Sequence, residues 1–274
     1  MKIIGFAGRK NSGKNTLCNF MTGYQLLANK VVDKFDITQS GQLYIEQDDT
    51  KGVLNLEAHK TSPEFYSWAA YNVWPNAKIY AFAEPLKELC IDLFDLPREV
   101  VYGTDEQKNT TFIEHIRWES MPGVICNQEF YEAGLKNNYG NGVKELFSKM
   151  TYHDPGSMTV RQILQFMGTE VMRKIWSPVW VNKMQKTILE EKSMLSLVCD
   201  VRFDDEAQGL LDLKSEGFDV KIVELTRTKT SSDKHSSENG ISPGLADFVL
   251  DNQNMSLVES CNVLAAKISE WGWV

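Results

Sequence analysis

The sequence predicts an α/β fold with a mainly parallel sheet of about five strands. Short apolar runs alternate with longer amphipathic segments along the 274 residues, and this alternation is typical of strands connected by helices. A glycine-rich turn directly follows the first apolar run. The hydrophobic fraction of 42% and the charged fraction of 24% are those of an ordinary globular protein.

The individual elements follow from local patterns in chain order. The apolar run at 1–7 predicts a buried strand, and a helix is expected to follow from about Gly13 to Leu27. Lys78–Phe82 predicts a second strand, after which Pro85 stands in the first turn of a helix that reaches Phe94. The remaining predictions are strands ending at Asp200 and covering 218–227 and 246–252, and helices beginning at Thr159, covering about Trp180–Glu191, ending near Gly217 and covering Leu257–Ser269.

Two regions are less regular. Alternating residues around "DDTKG" predict a β-hairpin, which we interpret as an insertion at about 34–76, either a dimer contact, a lid or a decoration without function. Glycine and proline interrupt the polar segment 95–158, where short helices and mobile loops are expected. No clear linker divides the chain, so a single domain over 1–274 is expected.

Charge and composition argue against several classes of function. The formal net charge of −8 disfavours binding to nucleic-acid polymers, whose phosphates attract basic surfaces. No apolar run reaches the roughly 20 residues that a membrane span needs, and the first residues do not resemble a signal peptide. The five cysteines form no C-x-x-C pair and are expected to be reduced thiols. The sequence therefore predicts a cytoplasmic protein without a membrane partner.

The stretch "GRKNSGKNT" (8–16) has the spacing of a phosphate-binding loop, because two glycines stand five positions apart and a lysine follows the second. Glycines permit a turn whose N–H groups converge on an anion, and the next helix adds its positive end. We therefore predict a P-loop NTPase-type fold of three layers. The residues predicted to bind its nucleotide are Lys10, Gly13, Lys14, Asn15 and Thr16. A plain glycine turn with a solvated lysine is the alternative.

Other polar residues stand where a substrate is expected. Lys87 opens the helix after the second strand, and ligands of open α/β sheets bind at the carboxyl ends of strands. Arg161 and Gln165 share one helix face, where a guanidinium suits a phosphate and an amide suits a base edge. Asp200 and Arg202 end another strand, and Asp200 is a candidate Mg²⁺ ligand through water.

These residues also have structural explanations. Arg161 and Gln165 fit a solvated helix face, and Asp200 with Arg202 fits an ion pair. Trp180 fits a core position. Asn15 stands where such loops usually carry a Ser or Thr that binds Mg²⁺, so it either offers a carbonyl oxygen or only caps the helix.

Several blocks, taken in order, carry a family resemblance: "GFAGRKNSGKNT", "YAFAEPLKELC", "VRQILQFMGTEVMR" with "VWV" after it, "VCDVRFDDEA", and "ELTR" with "DKHSSE" after it. On these blocks the chain resembles the deoxynucleoside monophosphate kinases of tailed bacteriophages. Residues 28–76 and about 110–158 do not align with that family. The family has Asp in the position of Asn15, with Thr next, so the replacement here keeps the shape and removes a charge.

The resemblance implies ATP and Mg²⁺ as cofactors and a deoxynucleoside monophosphate as the acceptor. It implies catalytic roles for Lys14, Arg161 and Arg173, and an ATP contact for Arg227. The acceptor-binding residues it implies are Lys87, Lys108, Arg161, Gln165, Gly168, Thr169, Trp180, Asp200 and Arg202. Asn15 and Asp200 are the implied metal ligands.

The resemblance also implies an arrangement along the chain. A substrate-binding region is expected at about 83–170 and a helical lid at about 169–182, which closes to exclude water. A homodimer is suggested, as is a location in the host cytoplasm if a phage encodes the protein. The accepted bases do not follow from the residues.

Three other functions compete with this interpretation. The first is a P-loop kinase for another phosphorylated acceptor, such as dephospho-coenzyme A or phosphomevalonate. The second is a P-loop ATPase or GTPase switch, for which "SLVCDVR" partly fits a Walker B strand although the chain has no N-K-x-D element. The third is a nucleotide-binding module in which Asn15 marks a lost metal site.

Overall fold

The computed structural model describes residues 1–9, 11–47, 50–57, 62–136, 141–227 and 240–273. Within these ranges the strands are β1 (Lys2–Gly8), β2 (Lys34–Ile37), β3 (Leu43–Gln47), β4 (Thr50–Leu54), β5 (Ala77–Tyr80), β6 (Phe112–Arg117), β7 (Val124–Ile125), β8 (Thr151–Tyr152), β9 (Ser157–Thr159), β10 (Leu195–Val201), β11 (Asp219–Leu225) and β12 (Phe248–Leu250). The helices of the same ranges are α1 (Lys14–Ala28), α2 (Pro63–Asn72), α3 (Glu84–Phe94), α4 (Arg98–Val101), α5 (Asp105–Thr110), α6 (Gln128–Lys136), α7 (Asn141–Ser148), α8 (Val160–Gln165), α9 (Arg173–Ile175), α10 (Val179–Glu191), α11 (Asp204–Asp212) and α12 (Leu257–Glu270).

The chain divides into two compact units. The first consists of Met1–Pro85 together with Trp176–Val274, and the second of Leu86–Ile175. The second unit covers most of the predicted substrate-binding range at 83–170. The expected single domain, the role of that range and the lid at 169–182 stay predictions.

A parallel sheet forms the centre of the first unit. Across the described residues it has five strands in the order β12-β11-β1-β10-β5, and each neighbouring pair is parallel. All residues of β1 after Lys2 are buried, as expected for a central strand with helices over both faces. The predicted α/β fold with a mainly parallel sheet is confirmed.

Helices α1 and α12 contribute to the core beside this sheet. Phe6 of β1, Leu17 of α1, Leu197 of β10 and Leu264 of α12 belong to one buried cluster, with exposed fractions of 1% or less. Apolar contacts of this kind hold the helix after the glycine loop against the strands that flank the loop.

The inserted segment forms a separate antiparallel sheet in the first unit. Within the described residues its strand order is β2-β3-β4. The predicted hairpin is therefore confirmed as β3 and β4, while residues 48–49 of its turn lie outside the described ranges. The sequence analysis did not predict β2 or α2. A strand of four residues is too short for its alternation to be recognised.

The second unit has its own buried core, which includes Cys90, Val101, Met158 and Ile163. Short strands pair in this unit, β6 with β9 and β7 with β8, where the sequence predicted only short helices and loops. Since some of these strands have only two residues, they carry no readable alternation.

The helix predicted to begin at Thr159 is present but not continuous. Thr159 caps α8 in a capping box with Gln162, as the N-cap prediction required. After α8, however, Phe166–Met172 form a π-helix, and α9 follows. A Cβ at Gly168 would stand 2.7 Å from Leu86 Cδ2 of α3. The π-helix and α3 are therefore closely packed at Gly168.

No helix in the described part of the chain combines the length and the apolar character that crossing a bilayer requires.

Candidate active site

The glycine loop joins β1 to α1 through unusual backbone conformations. Gly8, Asn11 and Gly13 have φ angles of 137°, 60° and 100°, a region that glycine and asparagine adopt most readily. A Cβ at Gly8 would stand 2.6 Å from the carbonyl oxygen of Leu225. Glycine is therefore required where the loop passes beside β11. Turns of this kind present backbone N–H groups to an anion.

Lys14 places its charge inside this loop. The ammonium group donates to the carbonyl oxygens of Gly8 and Arg9, each at 2.6 Å, and lies 3.4 Å from Ser12 Oγ. Because Lys14 is only 8% exposed, its charge is shielded from water and held by backbone dipoles. The loop thus offers a positive, partly dehydrated site that fits a phosphate group.

Asn252 supports the loop through a buried hydrogen bond. Its Nδ2 donates to the Ser12 carbonyl oxygen at 2.9 Å, and the two residues are 3% and 1% exposed. Within the described residues its Oδ1 is buried without a hydrogen-bond partner. The sequence analysis missed Asn252, although its place just after β12 puts it at the carboxyl edge of the sheet, where ligands of such folds bind.

Asn15 and Thr16 lie in the first turn of α1, where Asn15 is exposed and Thr16 is half-buried. Both side chains are therefore within the turn that carries the positive end of the helix dipole. Lys10, the remaining loop residue predicted to bind ATP, lies outside the described ranges.

The sheet brings further predicted residues to the edge that holds the loop. Both neighbours of β1, which are β10 and β11, run parallel to it. Parallel strands end at the same edge of a sheet. Asp200 and Arg202 at the end of β10, and Arg227 just after β11, therefore lie at the same edge of the sheet as the loop, and their predicted roles stay predictions.

Asp200 has two backbone partners. The N–H of Phe82 donates to Oδ1 at 2.7 Å and the N–H of Ala83 donates to Oδ2 at 3.1 Å. These amides directly precede α3, so the carboxylate binds donors at the start of a helix. Each carboxylate oxygen can accept a second hydrogen bond, for example from a water molecule that ligates an ion. This role of Asp200 stays a prediction.

Trp180 lies on α10 and is 7% exposed. Its burial in the first unit agrees with the core explanation given for it. The predicted contact with a nucleoside stays a prediction.

In the second unit, Arg161 of α8 is held by two residues of α5. Its Nε donates to Asn109 Oδ1 at 2.6 Å, and its Nη2 donates to Asp105 Oδ1. Two partners fix the plane of a guanidinium group and so orient its remaining N–H donors. The sequence analysis missed both partners, because only the tertiary structure brings 105–109 to residue 161.

Lys87 and Lys108 are the other predicted cations of this unit. The Lys87 ammonium lies 4.9 Å from the centroid of the Tyr102 ring, within the range of a cation–π contact. Lys108, on α5 with Asp105, donates to the carbonyl oxygen of Gly103. The predicted contacts of Lys87 and Lys108 with a phosphate group stay predictions.

The remaining predicted residues of the second unit follow one another along the chain. Gln165 ends α8, Gly168 and Thr169 belong to the π-helix, and Arg173 begins α9. Gly168 is buried against Leu86, so a packing role for it is clear. The other three side chains are half-buried. π-Helical turns are frequent at functional sites. The contacts predicted for these residues stay predictions.

The described residues contain no group of three or more His, Cys, Asp or Glu side chains arranged to hold a metal ion. Asn15 and Asp200 are therefore not part of a preformed acidic cage. Mg²⁺ commonly binds through one or two protein ligands, phosphate oxygens and water, and the roles of Asn15 and Asp200 as its ligands stay predictions.

Comparison with known proteins identifies the family. Residues 125–261 match the family model described as deoxynucleotide monophosphate kinase, and this span is half of the 274 residues. It includes Arg161, Arg173, Asp200 and Arg227, while the glycine loop precedes it. The expectation that about 110–158 would not align with the family is wrong for residues 125–158. A search of curated proteins gives no match. Since a family model matches half of its residues and its parallel sheet agrees with the fold of such kinases, the chain belongs to the deoxynucleotide monophosphate kinase family.

Proposed function

We propose that the protein transfers the γ-phosphoryl group of ATP to deoxynucleoside 5′-monophosphates and so forms deoxynucleoside diphosphates. The family match supports this class of acceptor. The observation that carries the donor assignment is the Lys14 ammonium, held inside a glycine loop by the Gly8 and Arg9 carbonyl oxygens. The resemblance to phage enzymes supports a role in supplying precursors for phage DNA replication in the host cytoplasm.

On the donor side, the loop binds the ATP phosphates. Backbone N–H groups around Gly13 and the positive end of α1 stabilise the phosphate oxygens. Lys14 exchanges its bonds to the loop carbonyls for bonds to the β- and γ-phosphates. The Thr16 hydroxyl contacts a phosphate, and Arg227 flanks the nucleotide.

On the acceptor side, Arg161 binds the monophosphate with the N–H donors that Asn109 and Asp105 leave available. Lys87 and Lys108 add positive charge to the same phosphate. Gln165 and Thr169 contact the nucleoside. The remaining proposed acceptor contacts are Gly168, Trp180, Asp200 and Arg202.

The reaction is an in-line displacement. An oxygen of the acceptor phosphate forms a bond to the γ-phosphorus while the bond from that phosphorus to the leaving ADP oxygen breaks. The protein contributes position and charge rather than covalent chemistry. Lys14 stabilises the charge that develops on the transferred group, and Arg173 does so from the proposed lid at 169–182. Exclusion of water by that lid prevents hydrolysis.

Asn15 and Asp200 are the residues that would hold Mg²⁺, the first directly through its amide oxygen and the second through water. The ion, when bound, neutralises charge on the β- and γ-phosphates. Since Asn15 is neutral, its oxygen attracts a cation less strongly than a carboxylate would.

A coupled ADP-release assay tests the proposal. ATP with Mg²⁺ is supplied with dTMP, dGMP, dCMP, dAMP or GMP in turn, beside a blank without acceptor. We expect turnover that depends on the acceptor, that is lost in Lys14→Ala, and that persists in Lys149→Ala. Lys149 pairs with Glu145 on the surface, so it is a matched lysine control.

The pattern of turnover distinguishes the other functions. Equal rates of ADP release with every nucleotide and in the blank without acceptor would support a P-loop ATPase. Absence of turnover with nucleotides, together with turnover on dephospho-coenzyme A or phosphomevalonate, would assign a different acceptor. Absence of turnover with all of them would leave a nucleotide-binding module.

A further inference from the structure

The inserted sheet contacts the helix that follows the glycine loop. Its turn between β2 and β3 (Thr38–Gln42) lies against α1, where Asn19 Nδ2 donates to the carbonyl oxygen of Gly41 at 2.8 Å. Gly41 is buried and has a φ angle of 81°. The turn is therefore part of the surroundings of the loop rather than a remote decoration.

Gly41 comes closest to Thr16. A Cβ added at Gly41 would stand 2.3 Å from Thr16 Oγ1, 3.3 Å from its Cβ and 3.4 Å from its Cγ2. The hydroxyl is the nearest of these three atoms, so it points at the glycine. A threonine side chain in a helix has few allowed χ1 angles, so the space at Gly41 decides which of them Thr16 adopts.

Hydrogen bonds within the turn make it rigid enough to fix the position of Gly41. Gly41 N–H donates to the Thr38 carbonyl oxygen and Thr38 N–H donates to that of Gln42, both at 2.9 Å. Gln42 N–H also donates to Thr38 Oγ1 at 3.1 Å. These bonds close the turn around Gly41 and hold its backbone in place.

The sheet that carries the turn is firmly packed on α1. A Cβ at Gly23 of α1 would stand 2.4 Å from Phe35 Cδ2 of β2 and 2.6 Å from Leu43 Cδ1 of β3. The rings of Phe35 and Phe20 also pack with their centroids 5.7 Å apart. The absence of a side chain at Gly23 thus allows β2 and β3 to approach the helix closely.

We propose that the β2–β3 turn belongs to the phosphate-donor site and that Gly41, in this turn, is a positioning residue for the Thr16 hydroxyl. The inference rests on the proposed function, since that function places Thr16 on the phosphates of ATP. It assigns a role to the insertion at 34–76. The sheet packs on α1, and the absence of a side chain at Gly41 leaves room for the Thr16 rotamer in the structure, from which the hydroxyl would contact the nucleotide.

The expected behaviour of Gly41→Ala follows from this geometry. The new methyl group displaces Thr16 Oγ1, which a rotation about χ1 accomplishes at small cost to the fold. The hydroxyl then no longer meets the phosphate. Because a hydrogen bond to a charged group is lost, we expect the KM for ATP to rise about tenfold while the KM for the acceptor stays unchanged.

Gly217→Ala is the matched control. Gly217 belongs to the same unit and has a φ angle of 85°, but a Cβ there would meet no atom within 4 Å. Both variants place alanine at a similar left-handed φ angle, and only Gly41→Ala touches Thr16. An equal rise in the KM for ATP in both variants would overturn the proposal, because strain alone would then explain it.

A double-mutant cycle with Thr16→Ala provides the decisive comparison. In the Thr16→Ala background the hydroxyl is already absent, so adding Gly41→Ala should change the KM for ATP by about twofold or less. A further tenfold rise in that background would show that Gly41 acts on something other than Thr16, and the proposal would be wrong.

Calorimetry with a non-hydrolysable ATP analogue separates this proposal from the proposed function. If the wild-type protein binds the analogue but transfers no phosphoryl group, the kinase assignment fails, and the same cycle measured as dissociation constants still tests Gly41. If the wild-type protein does not bind the analogue, both proposals fail.

Discussion

At the scale of single residues, Asn252 offers a test of how the glycine loop is supported. Asn252→Asp removes the donor to the Ser12 carbonyl oxygen and buries a carboxyl group in its place. Burial raises the pKa of such a carboxyl group in the folded state. The variant is therefore relatively stable at low pH and loses stability as the pH rises through that raised pKa.

The measurement is the thermal midpoint of Asn252→Asp at pH 5 and at pH 8. We expect the thermal midpoint of Asn252→Asp to fall further below that of the wild type at pH 8 than at pH 5. Asn254→Asp is the control, because Asn254 is exposed in the same segment and should stay within about 0.5 kcal/mol of wild type at both pH values. Equal losses in the two variants would contradict a special role for Asn252.

Arg161 gives a second prediction at this scale. Lysine cannot reproduce the planar fork that Asn109 and Asp105 orient. Arg161→Lys should therefore raise the KM for the deoxynucleoside monophosphate about tenfold or more and leave the KM for ATP unchanged. Arg117→Lys, which alters an exposed pair with Glu119 in the same unit, should leave both constants unchanged. A rise in the KM for ATP alone would place Arg161 on the donor.

The sequence predicted single residues well only where a local pattern specifies them. The spacing of Gly8, Gly13 and Lys14 is such a pattern, and the structure places these residues in one loop. Asp105, Asn109 and Gly41 belong to no local pattern. Their contacts with Arg161 and Thr16 are created only by folding.

At the scale of elements, the π-helix of the second unit contains a glycine, Gly168, that packs closely against Leu86. Gly168→Ala would place a Cβ 2.7 Å from Leu86 Cδ2, and overpacking of this kind typically costs about 1–3 kcal/mol. We expect denaturant unfolding to show that the free energy of unfolding of Gly168→Ala falls by an amount in this range. Gly142→Ala should show almost none, since a Cβ at Gly142 of α7 would meet nothing within 4 Å.

A smaller side chain at the contact should relieve the strain. Leu86→Ala removes the atoms that the new methyl group would meet, so the combined loss in Gly168→Ala with Leu86→Ala should be less than the sum of the single losses. An additive result would mean that Gly168 matters for another reason, such as the backbone of the π-helix itself.

Elements with a long, regular pattern were predictable, and irregular ones were not. The apolar run of β1 and the helical periods of α1 and α12 gave nearly correct bounds. The π-helix was predicted as ordinary helix because the apolar residues at 160, 163 and 164 of α8 and at 167 of the π-helix keep the α-helical spacing. The strands β7 and β8 have two residues each, which is below the length of any recognisable period.

At the scale of the whole molecule, ligand-dependent stability tests both substrates together. A ligand that binds only the folded state stabilises it by about 2.7 kcal/mol at one hundred times its dissociation constant. We expect ATP with Mg²⁺ and a deoxynucleoside monophosphate each to raise the thermal midpoint of the wild-type protein. Lys14→Ala should lose the response to ATP and keep the response to the monophosphate.

The same experiment compares the acceptor classes directly. A response to dephospho-coenzyme A or phosphomevalonate, with none to any deoxynucleoside monophosphate, would contradict the proposed acceptor. Loss of both nucleotide responses in Lys14→Ala would indicate that the substitution damages the fold rather than the donor site.

The sequence predicted the fold class of the whole molecule because strands and helices alternate over most of its length. It did not predict the division into two units, since no linker composition marks residues 85–86 or 175–176. A unit assembled from two separate stretches of chain is defined by its long-range contacts, such as those of β1 with β10 and β11.

The position of β1 also has a consequence for biosynthesis. Along this chain β1 is followed only much later by its neighbours in the sheet, β10 and β11, which begin at Leu195 and Asp219. During translation β1 is therefore an apolar strand with two unpaired edges, which is a site for aggregation. Leu86–Ile175 is synthesised in one piece before either neighbour. Translation that stops before β11 would leave a nascent chain in which β1 still has an open edge, and such an edge favours aggregation.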